Sequence, residues 1–594
     1  MSANDPVGAS LEVAYAGRNP WILRGLGFLV AVLIATVLLV LEPRSAIGWD
    51  EGYTLGREAR VRAWIRGVFD PKTFARTWNP KLEFLVQDST PPPARERLSE
   101  RSRFFDRDVV RWFWPFAREE PHGHPPFYAL VGLVGDVLTP GRAPLERARL
   151  GPILFFSATA GLILAILARR WGILAGATAC AAWVCQPRLF AEARYAAYDG
   201  LLSSLWIVAI LVFTLAVEKH EIQEQESTKT SNRNLPKWLY VVLFGLVLGA
   251  AMGTKLTGWT LPALFAAWTV AFWSRRGLIT LAIGCAVAVG VVVAINPPWW
   301  FDPWDGVARF FRSNATRART IPIATMYLGR IYITPKESLP WTNTLVWTAF
   351  VTPAGILALA CCGFWGVLKR PFRDGAAALA AGGWMMMLIL RALPHTPGHD
   401  GVRQFLPAFG SLALVAGWGA MKLNEWIGVR AATVVVALAA LEGAAGIALL
   451  EPVPLSYYSP LVGGLAGATK LGMEPTYYWD SLSNDAIDWI NKETPEGAKV
   501  RFASYPTSWL YLRMTGRLRP ACLPTDRGRF AWYVVQNRPG SLSDLDRYLL
   551  ARAEPRYVER KWGVPLLWIF PYAEVEAWRQ PRNSRLKPSD SPLQ

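Results

Sequence analysis

Cysteine is scarce in this chain: six are spread over 594 residues. Cys180, Cys185, Cys285, Cys361 and Cys362 lie in apolar runs, and Cys522 lies in the tail. No pair stands at metal-ligand spacing with histidines, so neither a disulfide framework nor a structural zinc site is expected. No A-x-A cleavage site follows the first apolar run closely, although Arg18 and Arg24 precede it. An uncleaved anchor is therefore expected in place of a removed signal peptide. No internal repeat is visible, which counts against an inverted-repeat transporter. Acidic residues are outnumbered, 45 against 63 basic, for a net charge of +18. That surplus does not call for nucleic acid. Short basic loops such as Arg169-Arg170, Arg275-Arg276 and Lys369-Arg370 read as cytoplasmic anchors of membrane helices.

What is abundant points to the bilayer. Hydrophobic residues make up 52% of the chain, and tryptophan, an interface residue, occurs 29 times. Apolar runs at 25–41, 149–168, 171–187, 200–217, 237–254, 257–273, 277–296, 343–368, 376–393, 404–421 and 431–450 predict about eleven transmembrane helices. The run at 125–139 has the length of an interfacial or re-entrant helix. With basic loops inside, 43–148 becomes one large external loop carrying interfacial helices near 56–69 and 105–118. The same parity puts the tail outside. The polar loop 218–236 shows no packing pattern. The expected fold is an α-helical polytopic membrane protein over 1–450, with external juxtamembrane helices and a small C-terminal α/β domain over 451–594. In that tail, 483–492 and 543–552 are helix-like, and 499–503 and 532–536 are strand-like.

Several motifs fall on the external side under this single topology. Asp50-Glu51 follows the first span. His122-Gly123-His124-Pro125-Pro126 sits at the lip of the short apolar run. Arg194 and Asp199 lie in the turn after Pro187, Gly253-Thr254-Lys255 in another, and His399-Asp400 with Arg403 between two late spans. Carboxylates beside a membrane are costly unless solvated or used. Each motif also has a plain reading: a solvated helix cap for the acidic pair, a helix start for H-P-P, a snorkelling Arg194 or one paired with Glu192 or Asp199, an interface anchor for Lys255, and a solvated turn around His399.

Taken in order, these motifs resemble the GT-C superfamily of polyprenyl-phosphate-dependent glycosyltransferases, in particular the protein O-mannosyltransferase and aminoarabinose transferase group. Leu339-Pro340-Trp341, Thr352-Pro353-Ala354-Gly355 and Pro407 add to the likeness, which covers roughly 20–450. The resemblance implies an inverting membrane glycosyltransferase in the bacterial cytoplasmic (inner) membrane. It would move a sugar from a polyprenyl-phosphate-linked donor to a lipid, glycan or protein acceptor at the external, periplasmic face. Asp50 matches the family's catalytic aspartate and is expected to act as general base or to orient the acceptor, with Glu51 assisting. His124, Arg194, Asp199, Lys255, His399 and Arg403 are the expected substrate-binding residues, the cations meeting the charge that grows on the leaving phosphate. No cofactor is certain. A divalent cation (Mg or Mn) held by Asp50 and Asp199 stays open.

The chain also departs from that group. Phe127-Tyr128-Ala129-Leu130 follows H-P-P where the mannosyltransferases carry a lysine, so phosphate contact must come from elsewhere. The 297–342 loop is too short for their inserted carbohydrate-binding module, which makes a lipid or envelope-glycan acceptor at least as plausible as a protein. Two other classes stay open: a transporter or flippase of lipid-linked sugars, and a non-enzymatic envelope scaffold.

Overall fold

The apolar runs form helices, and prolines, glycines and charges end them. In a computed structural model, the described residues are 20–80, 90–118, 123–225, 236–320, 322–504, 508–522 and 528–583. Among these, six helices are long and apolar enough to cross a membrane: Pro20–Arg44, Pro144–Trp171, Tyr198–Val217, Arg275–Ala294, Gly375–Ala392 and Val429–Leu450. Exposed apolar side chains on outer helices, such as Phe28, Leu33, Leu438 and Leu441, would be unfavourable in water and fit a lipid surroundings. Tyr198–Val217 is the opposite case, almost wholly enclosed by protein. Pro407–Ile427 is buried from Pro407 to Lys422 and runs through the middle of the bundle.

The count of full-length spans is smaller than the eleven expected, for local reasons. The run 171–187 yields Ile173–Val184, of 12 residues, and 257–273 yields Leu261–Ala271, of 11 residues. The run 343–368 is two helices, Asn343–Val351 and Ala354–Lys369, because Pro353 has no N–H to continue the first. The orphan N–H groups of Ala354 and Gly355 donate to Glu442 at 2.7 and 2.9 Å. That explains a carboxylate placed within an apolar helix: it caps a broken neighbour. The run 125–139 gives Phe127–Gly132 and Val134–Leu138. Together they reach about 18 Å at 1.5 Å per residue, well short of a bilayer core of about 30 Å.

Close helix contacts rest on glycine. A Cβ at Gly363 would stand 2.1 Å from the Val415 carbonyl oxygen, and one at Gly419 would stand 1.9 Å from that of Leu359. The backbones of Ala354–Lys369 and Pro407–Ile427 therefore touch directly, a small-residue packing suited to lipid, where apolar burial adds little.

Outside the bundle, Trp49–Phe69 follows the first span, and Arg107–Phe113 packs beneath it. Parts of the first loop, including His122, lie outside the described residues, as do 226–235 of the polar loop, into which the helix Tyr198–Gln225 extends. The 297–342 segment holds more structure than expected: a helix, Pro303–Thr320, and a hairpin of β1 (Ile323–Tyr327) and β2 (Arg330–Thr334). Trp304 on that helix is 85% exposed, while arginines occupy other positions, the pattern of a helix lying in a membrane interface.

The tail's expected elements appear as Asn484–Glu493, Asp544–Arg552, β3 (Val500–Phe502) and β4 (Trp532–Gln536), both helices N-capped by serine. Two further strands, β5 (Tyr557–Lys561) and β6 (Val564–Pro571), complete a four-stranded sheet of order β3-β4-β6-β5. β3 and β4 are parallel, and the other pairs are antiparallel. β4 is thus central, and its C-terminal end feeds Asn537-Arg538 toward the membrane part.

Candidate active site

The acidic pair splits into two roles. Glu51 is fully buried, and its carboxylate accepts both arms of Arg149 at 2.7 and 2.6 Å. It also accepts the backbone N–H groups of Gly48 (2.7 Å) and Ala196 (2.8 Å). Arg149 reaches on to Glu42 at 2.9 Å, at the end of the first span. This knot ties together the first span, the start of Trp49–Phe69, the helix Pro144–Trp171 and the turn before Tyr198. Glu51 does not line the cavity described next; its bonds hold the helix end that carries Asp50.

Asp50 points the other way, into a cavity of about 450 Å³ at one end of the bundle. That size suits a small-molecule or headgroup ligand. Its Oδ2 accepts the Tyr198 hydroxyl at 2.7 Å and is paired with Arg403. Burial raises the Asp50 carboxyl, but the Arg403 guanidinium and the Tyr198 hydroxyl outweigh it and hold the group below the usual carboxylate range. Asp50 is therefore ionised at neutral pH.

Arg403 lies among three carboxylates. Besides Asp50 it donates to Asp199 (2.6 Å) and Asp400 (3.0 Å). Lys255 closes the other side of Asp199 at 2.6 Å, and Arg538 the other side of Asp400 at 2.8 Å. Asp50, Asp199 and Asp400 thus share Arg403, Lys255 and Arg538 in a largely buried cluster. Arg57 and Arg317 also line the cavity, so its cations exceed its carboxylates. The structure brings Asp50, His124, Lys255, His399 and Arg403 to this one cavity, with Asp199 directly behind. Arg194 is not among them. It pairs with Glu451 at 2.7 and 3.0 Å, and so ties the last apolar helix to the turn without lining this cavity.

His124 differs from the cation expected of it, and His399 shares its setting. Burial, reinforced by Arg317 and other cations, drives His124 well below its usual value, and burial drives His399 down to about 3. Both imidazoles are neutral at pH 7 and serve as hydrogen-bonding groups. Both residues are more than nine-tenths buried, and the Nδ1 atom of each has no hydrogen-bond partner. A polar ligand in the cavity would have these two ring nitrogens as hydrogen-bonding partners. The imidazole of His124 packs 4.1 Å from the Tyr198 ring.

The donor set does not fit a divalent ion between Asp50 and Asp199. Both oxygens of Asp199 are held by cations, and Oδ2 of Asp50 by Arg403 and Tyr198. Among the described residues no group of three His, Cys, Asp or Glu stands together as ligands.

Several cavity residues escaped sequence reasoning. Tyr198 adjoins Asp199 and Asp400 adjoins His399, so both were within motifs already singled out. Arg317 arrives on the interfacial helix. Tyr478, Trp479 and Arg538 come from the tail. The Trp49 and Trp479 rings stand 5.7 Å apart at the cavity wall. Gly48 makes room for the tail: a Cβ there would lie 2.7 Å from the Tyr478 ring.

No protein-family description matches the chain, and none of the curated proteins does. Among solved structures, ArnT from Cupriavidus metallidurans bound to undecaprenyl phosphate is similar with a TM-score of 0.48 and 16% identity, over 92% of this chain and 98% of that one. The apo state of the same protein matches with a TM-score of 0.48 and 14% identity, over 93% and 98%. The Archaeoglobus fulgidus oligosaccharyltransferase tethered with an acceptor peptide matches with a TM-score of 0.44 and 11% identity, over 85% and 69%.

Proposed function

We propose that this chain is an integral membrane glycosyltransferase that moves a sugar from a polyprenyl-phosphate donor to a hydroxyl-bearing lipid, glycan or protein acceptor at the external face. The observation that carries the reading is the cavity itself: Asp50 faces a cation-rich space at the head of apolar helices, while Asp400, the other lining carboxylate, has both oxygens on guanidiniums. A donor of this kind needs a greasy groove for its tail, positive charge for its phosphate and one carboxylate for the acceptor.

In this reading the acceptor hydroxyl donates to Asp50 and attacks the anomeric carbon opposite the phosphate. The carbon–oxygen bond to phosphate breaks with inversion, and the electron pair leaves on the phosphate oxygen. Asp50 is a weak base, so it takes the proton late, once bonding to carbon has made the hydroxyl acidic. Lys255 and Arg317 meet the charge that grows on the phosphate, and Arg403 orients Asp50. The neutral His124 and His399 hydrogen-bond the sugar or phosphate oxygens. The clustering of charges at one end of the bundle favours this over a transporter, which needs ionisable groups at mid-span.

The test is to incubate purified full-length protein with a panel of radiolabelled polyprenyl-phosphate sugars. Transfer of label to an acceptor, or its slow release to water, supports the enzyme. Donor that stays intact, or that only changes leaflet in sealed vesicles, removes it.

A further inference from the structure

The tail contributes more than a wall to the cavity. Arg538 stands at the end of β4, held in register because Asn537 N–H donates to Leu566 (2.8 Å) and the Thr476 hydroxyl donates to the Asn537 carbonyl (2.7 Å). Its guanidinium is 3% exposed and meets two carboxylates: Asp400 at 2.8 Å and Glu474 at 3.5 Å. Glu474 is anchored in turn, accepting the N–H groups of Met326 and Gly540, each at 3.1 Å. Asp400 adopts a left-handed backbone, φ 60°, and spends one oxygen on Arg538 and the other on Arg403. Arg403 holds Asp50. An unbroken line of ion pairs thus runs from the sheet to the carboxylate in the cavity.

We propose that Arg538 is a positioning residue for Asp50, acting through Asp400 and Arg403, so that the tail from 451 onward completes the active site. The proposal rests on the glycosyltransferase reading only in giving Asp50 its acceptor. With Arg538 in place, Asp400 is shared between two guanidiniums and leaves one edge of Arg403 for Asp50. With Arg538 neutralised, Asp400 and Glu474 lose the guanidinium that lies between them. Asp400 then claims Arg403 more fully, and Asp50 loses part of its counter-ion. Asp50 is faced by Tyr53 and Arg57 on its own helix and by Tyr128, Tyr198, Arg403, Asp400, Arg317 and Tyr478 from others. Arg538 does not touch it.

The experiment compares full-length wild type with Arg538→Gln, Arg538→Lys and Asp400→Asn. Carbodiimide labelling of Asp50, read by peptide mass spectrometry at about pH 6, reports its protonation without reference to activity. In Arg538→Gln, Asp50 labelling should rise several-fold, and Arg538→Lys should restore most of the wild-type value. In the transfer assay, Arg538→Gln should lower kcat about 10-fold with donor KM nearly unchanged, and add no further loss to Asp50→Asn. Should Arg538→Gln fail to fold, Asp400→Asn carries the test, shifting Asp50 labelling the other way because Arg403 is freed for Asp50. Labelling equal to wild type in these folded variants overturns the proposal. A wild type that transfers no sugar, with labelling shifted as stated, removes the glycosyltransferase reading and keeps Arg538 as the positioning residue.

Discussion

Arg403 donates to Asp50 and, from the other edges of the same guanidinium, to Asp199 at 2.6 Å and Asp400 at 3.0 Å. One planar fork therefore sets the direction of three carboxylates that come from three distant parts of the chain. A lysine is a point cation and cannot repeat that geometry. Arg403→Lys should lower kcat for transfer about 100-fold while the protein still inserts and folds. Arg403→Ala should also cost stability, about 3–5 kcal/mol, because it leaves buried carboxylates unpaired. Steady-state kinetics and thermal unfolding in detergent check the two outcomes.

Glu51 and Asp50 are neighbours with opposite signatures. Glu51→Gln should destabilise the protein by about 3–5 kcal/mol, since Arg149 then lies buried with too little counter-charge. Molecules that do fold should keep most of their turnover. Unfolding curves and activity per folded molecule separate this from an assisting catalytic role, in which rate falls and stability holds.

Arg317 reaches the cavity from the interfacial helix, the natural path for a lipid-borne phosphate. Arg317→Gln should raise the donor KM about 10-fold and leave kcat within about 2-fold, the pattern of lost uniform binding. Varying donor concentration at saturating acceptor measures both.

Acid should weaken the fold through His399. Its folded value is about 3, below the ordinary histidine value of 6.5, because burial disfavours the cation. The unfolded chain therefore binds a proton that the folded chain does not, at every pH between those values. Stability contributed by the neutral His399 is full above about pH 6.5 and falls as pH drops toward 3. Thermal midpoints measured across that window should fall with acid, and His399→Gln should flatten the slope.

The fold was legible where hydrophobic runs are long. Each of the eleven runs contains helix, yet Pro353 breaks one of them and several others stop short of full span length. Both hairpins were hidden for one reason. Each turns on a pair with positive φ, Leu328-Gly329 and Trp562-Gly563, and in each only the second residue is the glycine that advertises such a turn. Parity placed Asp50, His124, Asp199, Lys255 and Arg403 on one face in the sequence reading, and the structure groups the same residues at one cavity, with Asp199 behind it. What the sequence could not convey was pairing. Arg194 and Arg403 look alike on paper, but one meets Glu451 and the other Asp50. Arg538 lies 138 residues beyond Asp400 with no motif around it, and only the sheet register brings it there.

The proposed role of Asp50 is to serve the acceptor in transfer from a lipid-phosphate sugar. It is tested most directly by the single-turnover rate of label transfer from a radiolabelled polyprenyl-phosphate sugar, comparing wild type with Asp50→Asn in identical vesicles. The account predicts a loss of at least about 1,000-fold with donor binding and membrane insertion intact. An Asp50→Asn protein that transfers label at a rate near wild type would contradict it.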